Sequence, residues 1–67
     1  MSINEIRHHA MREAYHYRKP AVIVLDLLHQ GLRVFCGFHW DYLDSEPLRY
    51  YPIEIVHPDG VRESFIG

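Results

Sequence analysis

The sequence predicts an α+β domain in which one amino-terminal helix packs on a mostly antiparallel four-stranded sheet, in the order α-β-β-β-β. Three observations predict it. A capped apolar stripe of helical spacing fills residues 2–18, and two alternating apolar runs fold back on each other across Gln30-Gly31. A second pair of alternating runs flanks His57-Pro58-Asp59-Gly60. Sixty-seven residues form one small domain, 1–67. At that size only ~60% of the unfolded surface is buried, so stability is marginal without a staple or an associated partner.

The helix comes first. Ser2-Ile3-Asn4-Glu5 has the spacing of a capping box, with Ser2 and Glu5 placed to satisfy amide donors at a helix start. Ile3, Ile6, Ala10, Ala14 and Tyr17 then recur on one face. Pro20 disfavours helical geometry at Lys19 and ends the element near Arg18, and the basic Arg18 and Lys19 suit a carboxyl end.

The first hairpin is expected over residues 21–29 and 32–40, with Gln30-Gly31 as a two-residue loop. That loop sets Leu27 opposite Val34, Leu25 opposite Cys36 and Ile23 opposite Phe38. A helix over 20–30, with Pro20 in its first turn and Gly31 as its cap, competes. The Val22-Ile23-Val24 run and the register match favour strand.

An acidic loop, 41–47, follows. The second hairpin sets Tyr51, Ile53, Ile55 and His57 against Val61, Glu63 and Phe65. His57-Pro58-Asp59-Gly60 suits a type I turn closed by a left-handed glycine. Pro52 cannot donate to a ladder, so its strand is an edge or is bulged there.

One helix covers one sheet face. It is expected over Ile23, Leu25, Leu27, Val34, Cys36, Phe38, Ile53, Ile55 and Phe65. The opposite face then presents Val22, Val24, Leu28, Phe35, Val56 and Ile66 to solvent, beside Asp26, Arg33 and His39. Such a patch marks an interaction surface. The aromatic cluster Trp40, Tyr42, Tyr50 and Tyr51, with Arg49, supplies residue types that anchor interfaces. The expected partner-binding set is therefore Val22, Val24, Phe35, Trp40, Tyr42, Arg49, Tyr50 and Tyr51.

The catalytic and metal-binding signals are weaker. Cys36 is the single cysteine, within an apolar strand face, and reads as a small buried hydrophobe in a reducing compartment. Six histidines are many for this length. His9, Glu13 and His16 share a helix flank, but one helix lacks the further ligands of a di-iron bundle, so a solvated flank is the reading. His8, Arg12 and His16 are the residue types for acid-base cleavage of RNA, yet no phosphate cradle accompanies them and both His8 and Arg12 point away from the sheet. No serine has a nucleophile-elbow context. No catalytic residue, metal or cofactor is expected.

Net charge is −2. Residues 1–19 carry four cations against Glu5 and Glu13, a net of +2, while residues 20–67 carry three arginines against seven carboxylates, a net of −4. Neither value argues nucleic-acid binding by itself. The amino terminus has no apolar signal segment, and Ala21 to Leu28 is too short to span a bilayer, so a cytoplasmic protein is expected.

The functional expectation is a non-enzymatic protein-binding module. It is a small regulator or inhibitor docking on a host macromolecular complex through an exposed sheet face, as phage and mobile-element accessory proteins do. The partner is another protein or a second copy of the chain, with no membrane and no small-molecule substrate. The alternative is a toxin-like ribonuclease, or a nucleic-acid-binding homodimer, using the basic helix.

Overall fold

The computed structural model describes residues 2–37 and 49–65. Helix α1 spans Ile3–Tyr17, and strands β1 (Ala21–Asp26), β2 (Gly31–Cys36), β3 (Tyr50–Val56) and β4 (Arg62–Ser64) form one antiparallel sheet. The sheet order is β2-β1-β3-β4, so β1 is interior.

Helix α1 begins and ends where its local chemistry directs. Ser2 is the N-cap in extended geometry, and its hydroxyl accepts from the Glu5 amide at 3.3 Å. Arg18 closes the helix in the left-handed region (φ 55°), its amide donating to Ala14 O. Ile6, Ala10 and Ala14 are buried, whereas Ile3 and Tyr17 at the stripe ends are exposed. Two alanines at the contact let the helix axis approach the sheet closely. They pack with Ala21, Ile23 and Val56, flanked by Leu32, Val34 and Cys36. The Cys36 sulfur sits 3.5 Å from Lys19 O and 3.8 Å from Glu13 O, tying the helix end to the sheet. Arg7 makes a bidentate contact with Glu54 (Nη2 to Oε2 3.0 Å, Nε to Oε1 3.2 Å), joining the helix to β3.

The first hairpin forms, in a register four residues from the expected one. Ile23 faces Val34, Leu25 faces Leu32 and Ala21 faces Cys36. The connection is the four-residue turn 27–30 rather than Gln30-Gly31, and the strands stop at Asp26 and Cys36 rather than at 29 and 40. Asp26 is the cause. Its carboxylate accepts from the amides of Leu28 (3.1 Å) and His29 (3.3 Å), which turns the chain immediately after it. Gln30 completes the reversal at φ 55°. The displacement is even, so each side chain of this hairpin keeps its face.

The second hairpin has the expected pairing, with Ile55 opposite Glu63 and Phe65 N donating to Ile53 O. Its turn is closed by Gly60 N donating to His57 O, with Gly60 at φ 92°. Pro52 lies at a bulge: Glu54 pairs with Ile23 but Pro52 pairs with Val24, leaving Ile53 as the extra residue. That bulge corrects the face assignment. Val56 and Glu54 lie on the helix side, while Ile55 joins Val22 on the opposite side.

The expected exposed face is also corrected. Val22 and Val24 have 0% exposure within the single chain, and Phe35 and Tyr50 have 5%. They form a second apolar cluster with Ile55. Leu28 is exposed, but in the 27–30 turn rather than on the sheet. Ile66, Phe38, His39 and the acidic loop lie outside the described residues. No helix among the described residues is long and apolar enough to cross a membrane.

Candidate functional site

The expected partner-binding residues divide into three groups. Val22, Val24, Phe35 and Tyr50 come together in the second core, where they are buried within the single chain. Arg49 is partly buried against Asp26, and Tyr51 is exposed on the helix side of the sheet beside Leu25. Trp40 and Tyr42 lie outside the described residues.

The second core has a charged rim. The Phe35 and Tyr50 rings meet edge to face at 5.1 Å. The Arg33 guanidinium carbon lies 5.3 Å from the centre of the Phe35 ring, and that of Arg49 lies 4.9 Å from the centre of Tyr50. Both arginines converge on the fully buried Asp26 carboxylate at 3.3–3.4 Å. Burial pushes the Asp26 carboxyl upward, but the Arg49 hydrogen bond, the His29 amide and Arg33 outweigh it and hold it at about 2. Asp26 is a structural clamp with every site occupied, not a free base.

The exposed chemistry lies on the outer face of α1. His8, Met11, Arg12 and Tyr15 follow i, i+3, i+4 and i+7 spacing, opposite the buried stripe. Tyr15 is 73% exposed and Met11 43%. With the 58–60 turn these four residues line a groove of about 320 Å³. A second groove of about 680 Å³ lies along the same helix, bordered by His9, Glu13, His16, Tyr17 and Arg18. Arg12 and Tyr15 line both, forming a ridge between them. The β3–β4 turn supplies the far wall of the first groove.

Within this surface the histidines are separated. His8 lines the first groove and His16 the second, where its ring meets Tyr17 edge-on at 4.8 Å. A two-histidine acid-base pair needs both rings at one reacting group. His9 contacts Glu13 at 3.6 Å, and no three His, Cys, Asp or Glu side chains gather into a metal-holding set among the described residues. Cys36 is held as a thiol, because burial first and Glu13 second raise its pKa.

Sequence reasoning missed the groove at Met11, Tyr15 and the 58–60 turn. Its signal was present: Met11 and Tyr15 stand four residues apart on the face the apolar stripe leaves free. Comparison with family models, with curated proteins and with solved structures finds no match to this chain.

Proposed function

We propose that this chain is a non-enzymatic protein-binding module, a small regulator or inhibitor that docks the outer face of α1 on a larger complex. One observation carries the reading. Tyr15 stands exposed beside Arg12 on the ridge between two grooves, with Met11 exposed in the first, whereas Val22, Val24, Phe35 and Tyr50 on the sheet are buried. Tyrosine and arginine at the edge of an apolar groove are among the residue types that dominate protein interfaces. Exposed apolar side chains lining a groove are more informative than scattered ones. The ribonuclease alternative is weaker, because His8 and His16 serve different grooves.

The test is affinity capture from a lysate of the cells that make the protein, using wild type and the double variant Met11→Ala/Tyr15→Ala. Both side chains are outside the two cores, so the variant should keep the wild-type circular dichroism and melting temperature. A stoichiometric protein partner retained by wild type and lost by the variant is expected. Capture that the variant leaves intact, or capture only of nuclease-sensitive nucleic acid, overturns the reading.

A further inference from the structure

From the chemistry of the two grooves we infer that the partner presents an acidic segment with one large apolar anchor, the anchor preceding or following its carboxylates by about three residues. This rests on the helix-face reading above and specifies its ligand. The first groove is lined by Met11, Tyr15 and the Pro58–Gly60 turn, and takes an apolar side chain. The second is cationic where it is uncommitted. Of the arginines on α1 and its cap, Arg7 is engaged by Glu54, whereas the guanidinium groups of Arg12 and Arg18 have no hydrogen-bond or ion-pair partner among the described residues. The carboxylate bordering that groove, Glu13, is approached by His9, and Asp59 at the other groove accepts the Val61 amide at 3.0 Å.

Two free guanidinium groups beside exposed tyrosines favour carboxylates, which they bind through charge-assisted and bidentate hydrogen bonds. Phosphates share that chemistry, but the apolar first groove beside them takes a hydrocarbon side chain, which makes a short acidic peptide the better match. Spacing sets the motif. Met11 to Arg18 is seven residues of helix, roughly 10 Å at 1.5 Å per residue. An extended peptide covers roughly 10 Å in about three residues at 3.3 Å each. A phenylalanine in the first groove therefore lies beside Arg12, and brings carboxylates three positions along to Arg18.

The experiment titrates wild-type protein into a fluorescein-labelled ten-residue Gly/Ser peptide carrying one Phe and, three positions later, an Asp-Glu pair. Anisotropy is read at low and moderate salt. Controls replace Asp-Glu by Asn-Gln, replace Phe by Ser, or substitute a twelve-nucleotide oligouridine. The charged Phe peptide should bind roughly tenfold more tightly than either control peptide, the scale of one interface anchor. Arg12→Ala and Tyr15→Ala should each remove that margin with melting unchanged, and added salt should reduce it. Equal binding of the Asn-Gln peptide, preference for oligouridine, or sedimentation showing that the face is filled by a second copy overturns the inference. The two levels separate cleanly. If Met11→Ala/Tyr15→Ala abolishes capture of the cellular partner while charge in the peptide makes no difference, the acidic chemistry falls and the helix-face reading stands. If capture survives that variant, the reading itself falls.

Discussion

Asp26 does three structural jobs with one carboxylate. It ends β1, turns the chain through the amides of Leu28 and His29, and gathers Arg33 and Arg49 beside the two aromatic rings. Its carboxyl is depressed to about 2 in the folded chain, whereas an unfolded aspartate titrates near 3.9. The linkage sign follows. The contribution is fully present above about pH 4 and is lost as pH falls toward 2, where the folded carboxylate takes up its proton. Asp26→Asn keeps the shape and removes the charge. Denaturation across pH 2–6 should show the variant less stable than wild type above pH 4, with the two curves converging toward pH 2. Parallel curves with a constant gap would show that the ionised carboxylate is not what stabilises the turn. The sequence displays Asp26 plainly but conceals its role, since an aspartate amid Val-Ile-Val-Leu reads first as a polar interruption. Its amide partners lie two and three residues ahead, and that local bond prevails over the longer hairpin that apolar alternation alone favours.

Among the elements, α1 was the most legible. Its cap, stripe and stop all come from interactions within four residues, and Ser2, Ala10, Ala14 and Arg18 occupy the places their chemistry indicates. Ala10 and Ala14 set how closely it seats, so Ala10→Leu should cost about 1–3 kcal/mol through overpacking, measurable by urea denaturation. A neutral or stabilising result would mean the helix stands off the sheet. Strand β3 was legible in extent and only partly in facing. Pro52 signalled a bulge, but which residue becomes the extra one depends on pairing with β1, a long-range choice that periodicity cannot see. Once Ile53 takes that place, Val56 and Ile55 exchange sides. The outer groove was concealed for a similar reason. Met11 and Tyr15 are visible on the free helix face, while the 58–60 turn that walls them is more than forty residues away.

At the scale of the molecule, two small apolar clusters lie on opposite sides of β1, one against α1 and one around Phe35 and Tyr50. Stability per residue of about 0.05–0.15 kcal/mol gives a chain of 67 residues roughly 3–10 kcal/mol in total. Truncating a buried phenylalanine costs about 3–5 kcal/mol even without a charge. Phe35→Glu should therefore unfold most of the population at 25 °C, visible as loss of far-ultraviolet dichroism, whereas a surface role for Phe35 would leave the fold intact. Closure of the second face is the reason we propose the outer helix rather than the sheet as the docking surface. Native-state hydrogen exchange over a dilution series, with sedimentation confirming monomer at the low end, tests that closure most directly. Protection of the Val22, Ile23 and Val24 amides should be the same in monomer and at high concentration. Protection that collapses as the chain is diluted to monomer would show that a second copy, and not the chain itself, seals that face.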